Sequence, residues 1–550
     1  MQSQMLSDVH DRLNLPRPLT QPPRVTPAPR GEDTVMVPAS AGATLTTLTS
    51  RRQWISGLTG GALSSLEDSQ HGSHGDPVMT LVHRITFGFT VAEYERARGL
   101  GFQAYLDEQL DHLSIDDSVL DARLSQWFPI LAMSPKEVYD SYGALSYQVY
   151  RAQLHTKNAL VARATNSKRQ LYERMCEFWI DHFNIEHDKG LEWALLPEHE
   201  RTVIRPHALG SFPEMLRACA FSGAMLYYLD NWLNVRAAPQ QNYARELLEL
   251  HTLSVHGGYN EFDVQEVSRC FTGWTLNGDN SSPDWLRGVY DPTLHSSGRK
   301  LVLGHTIPGA PPVGRPGEPV AGNDAVQVLE ILSTHPSTAA FLARKLIRRF
   351  LTPTPPQELI DRVATAYLDT GGDIKAMLRV ILTPENLGAH SPVLAPKYRR
   401  PFHLLVSLYR AMDAVVKNET SNSATQLESM GHSPYDFGPP TGYPDDFRSW
   451  GGLLLSRWSF AVDLMRHDFI TPGLSFISPA ALQDKLEIHG AAERPGLAKR
   501  MDERLFGHML TRDDLEALQQ FIDDYPLPFD LYALYDCLAL ASSLPGFQWS

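Results

Sequence analysis

Two histidines set among apolar residues are the side chains of this chain best suited to chemistry. Projected on a helix at about 100° per residue, Leu171–His187 gathers Met175, Phe178, Trp179, Phe183 and Ile185 on one side. His182 lies at the centre of that side, and Glu186 follows one turn later. Gln241–His256 likewise carries Ala244, Leu247, Leu248 and Val255 on its apolar side, with His251 in the middle. A buried neutral imidazole needs a partner for its donor nitrogen and another for its acceptor, and a metal ion can fill the second role. If the two faces meet, His182, Glu186 and His251 are candidate ligands for a divalent metal. Such an ion polarises a substrate oxygen or lowers the pKa of a bound water. The competing reading makes each histidine a core residue bonded to a backbone carbonyl.

The opposite side of Gln241–His256 is polar: Asn242, Arg245, Glu246, Glu249, Thr252 and His256 fall within an arc of roughly 120°, with Leu253 as the one apolar intruder. Glu246 and Glu249 are adjacent there, so they could share a proton or ligate a metal. With His251 they are the candidate catalytic residues. A solvated face on which Arg245 keeps both acids ionised is the simpler alternative. Glu249 is followed three places on by Thr252, which excludes the Glu-x-x-His pair of di-iron bundles. The chain also lacks an HExxH zinc motif, a GxSxG elbow and a phosphate-cradling P-loop. In the basic run RKLIRRF (344–350), Arg344, Lys345, Arg348 and Arg349 recur at helical spacing. That suits a solvated or acid-paired helix face, with an anion site as the alternative. The loop PYDFGPPTGYPDDFRSW (434–450) combines aromatics, acids and turn residues, fit for sugar stacking or for a packed surface loop.

The elements that must position these residues are helical from residue 77 onward. Thr90–Leu110 reads as two short helices broken at Gly99-Leu100-Gly101, with Thr90 and Glu93 at capping-box spacing. Gly257-Gly258 suits a left-handed end to the 241–256 helix, which places His256 at its C-terminus. Asn260 then caps the next helix, with Asp263 at its third position. Arg287–Leu303 alternates like a small hairpin, and 304–322 holds too much Pro and Gly for regular structure. The expected fold class is mainly α, a large multi-helix orthogonal bundle with a small β-hairpin near 287–303. Residues 1–76 read as a disordered linker, 77–470 as a helical domain and 471–550 as a further helical lobe.

A length of 550 residues exceeds one compact core. The net charge of −14 argues against a nucleic-acid partner, and no stretch approaches the ~20 apolar residues of a membrane span. The four cysteines are too scattered for a zinc finger or a disulfide framework and read as free buried thiols. Ser50-Arg51-Arg52-Gln53-Trp54-Ile55 and the mild run to Leu66 resemble a twin-arginine export signal, although it starts late and lacks a clear cleavage site. If it acts as one, the protein is periplasmic or exported; otherwise it is cytoplasmic.

YLDN at 228–231, APQQNYARELLELHTL at 238–253, GGY at 257–259 and TGW at 272–274 together resemble the signature of a bacterial family, domain of unknown function 1800. The FW-x-x-HF at 178–183, HPSTAAFLARKLIRRF at 335–350, Lys397 with Pro401, and GYPDDFRSWGGLLLSRWSFA at 442–461 agree. The resemblance covers about residues 77–470. It implies a mostly helical fold and a typically exported bacterial protein, and it brings no settled activity. It also implies a candidate partner, the sulfatase-like product of a gene family that often lies alongside. Asp181 and Asp445-Asp446 stand where such sequences often have Asn or Gly, which shifts the local charge. Two functions are therefore expected. One is an enzyme, acid–base or metal-assisted, acting on a glycan or other envelope substrate; the other is a non-catalytic accessory to an exported partner.

Overall fold

A computed structural model describes residues 76–308, 324–417, 421–466 and 474–549. The twin-arginine-like segment and most of the Pro/Gly-rich stretch 304–322 lie outside the described residues. The chain is mainly α. The helices that matter for the site are α1 (Pro77–Ile85), α2 (Ser146–Asn166), α3 (Gln170–His182), α4 (Asn242–Glu246), α5 (Glu261–Phe271), α6 (Pro336–Phe350), α7 (Pro401–Ala411), α8 (Leu454–Arg466) and α9 (Leu531–Ser543). No described helix is long and apolar enough to cross a membrane.

Local chemistry sets several boundaries as expected. Thr90 Oγ1 accepts from the Glu93 N–H at 3.2 Å, and Gly101, at φ 83°, breaks 91–110 into two helices. Asn260 and Asp263 form a reciprocal capping box at the start of α5. The stretch 287–303 supplies one strand to each of two antiparallel ribbons. Gly288–Tyr290 pairs with Trp274–Leu276, and Lys300–Val302 pairs with His305–Ile307.

Other boundaries depart from the wheel. α3 stops at His182 rather than running to residue 187: Phe183 leaves the helical region (φ −106°, ψ 50°), and the Asn184 side-chain amide beyond it donates to the carbonyls of Phe437 (2.7 Å) and Pro439 (2.9 Å). The helix that begins at α4 becomes π-helical over Leu247–Thr252, and Thr252 Oγ1 donates to the carbonyl of Leu247, five residues back. A wider turn changes the phase of everything after it. Leu253, expected on the polar arc, is buried at 1% exposure, whereas Val255, expected on the apolar side, is 61% exposed. The left-handed residue that ends this helix is Ser254 (φ 68°), so His256 lies in the following turn and not at a helix terminus.

Two large hydrophobic cores result. The first joins α1, α3, α5 and α6 through side chains such as Leu81, Trp179, Phe271 and Leu346. The second joins one side of α2 to α7, α8 and α9 through Ala162, Leu405, Phe460 and Leu538. Of the segment 471–550, expected to form a further lobe, the described residues from Leu474 to Phe547 contribute side chains to the second core. The segment is also stitched to α8, where Trp458 Nε1 donates to the Ser543 carbonyl at 3.1 Å. All four cysteines are buried and free. Each large apolar side chain in these cores contributes about 1.5–3 kcal/mol. The seam between the two cores carries the charges.

Candidate functional site

The two histidines singled out by their apolar faces do meet. Their ring centroids lie 6.2 Å apart, both are 1% exposed, and Phe183 packs against both rings. His182 Nε2 lies 3.1 Å from the His251 carbonyl, which can only accept, so this nitrogen carries the proton. His182 Nδ1 therefore accepts, from Lys345 Nζ at 2.9 Å. No lone pair remains on this ring for a metal. Burial, reinforced by Lys345 and by the other histidine, holds the pKa of His182 well below 6.5; burial, then Lys345 and His199, lower that of His251 to about 3. Both rings are neutral.

The third expected ligand is elsewhere. With α3 ended at His182, Glu186 lies on the following turn, facing Gly438 of the 434–450 loop. The trio His182, Glu186 and His251 is not assembled. Among the described residues no three His, Cys, Asp or Glu side chains are gathered to hold a metal ion. The candidate acids Glu246 and Glu249 stay half-buried at the surface. Burial and then Glu249 raise the pKa of Glu246, while Tyr259 Oη approaches Glu249 at 3.4 Å. Arg245 turns away from both to pair with Glu261 at 2.9 Å.

The opposite face of α3 holds what the wheel showed only as a polar stripe. Glu177 and Asp181, one turn apart, lie half-buried at the seam against cations from α6 and the start of α7. Arg349 Nη2 donates to Glu177 at 2.7 Å and lies 3.6 Å from Asp181. Arg400 pairs with both carboxylates. Arg400 is the residue just before α7, where a cation opposes the helix dipole, so these acids also compensate that end. Lys397 reaches the Arg348 carbonyl at the C-terminal end of α6 and lies 3.2 Å from Asp445. Behind them Arg174 donates to His403 Nε2 at 3.0 Å. Burial and then Arg174 hold that imidazole neutral.

The carboxylates respond unequally. Burial pushes Asp181 up to about 7, against the pull of Arg349 and Lys345. Burial opposes ionisation of Asp445 too, but Lys397, Arg349 and Arg400 outweigh it and hold that group well below the usual carboxylate range. Lys345 and Lys397 are both lowered by burial to about 8. Asp181 and Asp445 retain 17% and 21% of their side-chain exposure, so water reaches both.

The aromatic loop covers this cluster. Gly442, at φ 71°, comes so close that a Cβ would sit 2.0 Å from the Asp181 carbonyl oxygen, a position only glycine can take. Tyr228 Oη donates to the Gly438 carbonyl at 2.6 Å, and the His187 N–H to that of Tyr435 at 2.9 Å. Lys157 of α2 donates to both oxygens of Asp436 at 2.7 Å, and His187 bridges Asp436 and Asp188. Beneath the loop lies a cavity of about 30 Å³, room for about two waters, lined by Glu177, Asp181, Asn184, Phe402, His432 and Tyr443.

Sequence reasoning missed Glu177, Lys397 and Arg400 as site residues, and it took Lys345 and Arg349 for a helix face. A signal was present: Glu177 and Asp181 are four apart on one helix, and Lys345 and Arg349 are four apart on another. That is the spacing of two stripes able to zip together.

None of the curated proteins and none of the solved structures compared with this chain matches it. A family model described as "Protein of unknown function (DUF1800)" matches residues 80–549, from within α1 through α9 and the last described residue. The chain belongs to the DUF1800 family.

Proposed function

We propose that this protein is an acid–base enzyme acting on a cell-envelope substrate, with Asp181 as its proton-handling group. The observation that carries the reading is a pair of partly exposed carboxyls set unequally among the same cations: Asp181 lines the small cavity and burial pushes it up to about 7, while Asp445 lies against Lys397 and is held ionised. Environments that drive neighbouring titratable groups apart separate an acid from a base at neutral pH. In its protonated form Asp181 gives its proton to the oxygen of the bond that breaks, while water adds to the atom that oxygen leaves and the proton released by that water returns to the Asp181 carboxylate. Glu177, held by Arg349 and Arg400, fixes the cation ring around it. Asn184, Tyr443 and His432 line the space where water approaches. That space is too small for a sugar ring, so a polymer is engaged at the mouth of the cleft, one group at a time.

The test is turnover by the purified full chain, using peptidoglycan sacculi and a panel of neutral and acidic polysaccharides as probes. Activity is expected to fall above about pH 7, as a general acid of that pKa loses its proton. Asp181→Asn is expected to lose about 10²–10⁴-fold in rate while keeping its fold. No turnover of any probe between pH 5 and about 8, or an Asp181→Asn variant as active as wild type, removes this reading.

A second reading is favoured by His182, whose two ring nitrogens are bonded to a backbone carbonyl and to Lys345 as in a structural core. On that reading the protein is a non-catalytic accessory to an exported, sulfatase-like partner. Co-purification of such a partner with Asp181→Asn as efficiently as with wild type, in the absence of turnover, supports it. The twin-arginine-like segment 50–66 supports an exported setting for either reading, and fractionation of tagged protein with and without Arg51→Lys and Arg52→Lys tests that.

A further inference from the structure

The chain as a whole is acidic, at −14, yet its buried seam is cationic. Arg349, Lys397 and Arg400 pair with Glu177, Asp181 and Asp445, and Lys345 and Arg174 lie behind them on His182 and His403, five cations around three carboxylates. Ion pairing therefore leaves at least two positive charges uncompensated in a place only partly open to water. Hydrogen bonding points the same way. Arg349 is 3% exposed, and its Nε and Nη1 are buried with no hydrogen-bond partner; Nη1 stands 3.9 Å from Asp445, beyond hydrogen-bonding reach. Nε of Arg400 (1% exposed) and Nε of Arg174 are buried and unpartnered as well. Guanidinium N–H groups are stiff, planar donors that suit an oxyanion, and a buried donor without an acceptor is costly.

We infer that this seam binds a tetrahedral oxyanion, a phosphate or sulfate group, through Arg349 and Arg400 with Lys397 at the rim. Resting on the enzymatic reading above, this makes the substrate an envelope polymer or ester that carries such a group. Asp181 is then next to the group that the arginines hold. Asp445 acts as a built-in competitor, since it occupies Lys397 and faces Arg349 when no anion is bound. The competition gives the idea a signature that simple surface charge lacks: removing a carboxylate should improve binding, and the gain should be for tetrahedral anions.

The experiment is isothermal titration of the full chain with sodium phosphate and with sodium sulfate, against sodium chloride at matched ionic strength. One-to-one binding of phosphate or sulfate, and none of chloride, is expected. Arg349→Gln should weaken it by about 10-fold or more, the loss of a charge-assisted contact. Because Arg349→Gln removes a partner of Glu177 and could unfold the chain, Lys397→Gln at the rim and Asp445→Asn are measured beside it. Lys397→Gln should weaken binding several-fold and Asp445→Asn should tighten it. The preferred free anion identifies whether a phosphorylated or a sulfated substrate is meant. Equal heats from chloride, or Asp445→Asn binding no tighter than wild type, overturn the inference. Asp181→Asn separates the two proposals. Anion binding without turnover by wild type removes the enzymatic reading and keeps the anion site. Turnover lost in Asp181→Asn, with no anion binding by wild type, does the reverse.

Discussion

One helix, α3, presents two kinds of polar residue to the protein interior, and they behave as opposites. On the side facing the first core, His182 sits among Phe178, Trp179 and Phe183, donates to a backbone carbonyl and accepts from Lys345. On the side facing the seam, Glu177 and Asp181 are ringed by arginines and remain partly open to water. The first arrangement satisfies its donor and acceptor with nothing left to react. The second keeps charges, unpartnered donors and a path for water in one place. Residue type alone would have ranked them the other way, since histidine is the usual switch near neutral pH. What decides is the environment: dry packing neutralises an imidazole, whereas crowded cations and partial burial tune a carboxyl.

The sharpest way to break this comparison is to remove the carboxylate at its centre. Glu177→Ala removes one of the two carboxylates that Arg349 and Arg400 share, leaving them only Asp181 in common while they stay 3% and 1% exposed. Breaking a buried pair in this manner costs about 3–5 kcal/mol, because the stranded charge keeps its desolvation penalty. Urea unfolding of the variant should show that loss. A cost below about 1 kcal/mol would mean the seam is as solvated as a surface ion pair, and the contrast between the faces would disappear.

A smaller effect, and one with a sign, comes from pH. His251 has a folded pKa of about 3, below its unfolded value, so in acid the unfolded chain takes up a proton that the folded chain refuses. Its contribution is complete above about pH 6.5 and is lost as pH falls toward 3, by up to about 1.4 kcal/mol per pH unit. Asp181 runs the other way. Its folded pKa of about 7 exceeds its unfolded value of about 4, so the folded state binds more protons between them. That contribution is complete below about pH 4 and is lost as pH rises through 7. Stability measured by urea unfolding from pH 7.5 to about 4.5 should therefore fall less steeply with acid in His251→Asn than in wild type. In Asp181→Asn it should fall more steeply. Parallel slopes in all three proteins would show that the two faces of α3 do not differ in protonation.

How much of this was legible follows from what each signal depends on. The capping box at Asn260 and Asp263, the break at Gly101 and the meeting of His182 with His251 rest on short spacings or on one clear apolar face, and all three are present. The π turn at Leu247–Thr252 has no marker in residue type, so a wheel of constant pitch misplaced Leu253 and Val255 on opposite sides. α3 ends where Phe183 leaves the helical region, and the chain after it is tied by the Asn184 side chain to carbonyls at Phe437 and Pro439, more than 250 residues away, which no local spacing could show. The ion cluster was half legible. The stripes Glu177/Asp181 and Lys345/Arg349 were visible as polar helix faces, but periodicity does not say whether water or another helix covers a polar face. Only the packing of two cores against each other answers that.

The smallest expected effect concerns the acidic stripe first considered for catalysis. Glu246 and Glu249 are half-buried, and Arg245 beside them is occupied by Glu261. Their nearness raises Glu246, as burial does, but no ring of cations or unpartnered buried donors surrounds them among the described residues. Replacing both, as Glu246→Gln with Glu249→Gln, should change stability by no more than about 0.5 kcal/mol, the range of ordinary surface substitutions. The sign should be slightly favourable, since two like charges on adjacent positions of one face repel. Turnover and anion binding should match wild type. A large loss of either in this double variant would return the chemistry to the 239–274 segment and make the seam a structural feature. An unchanged double variant beside an inactive Asp181→Asn separates carboxylates that merely share a helix face from one that cations and burial have tuned.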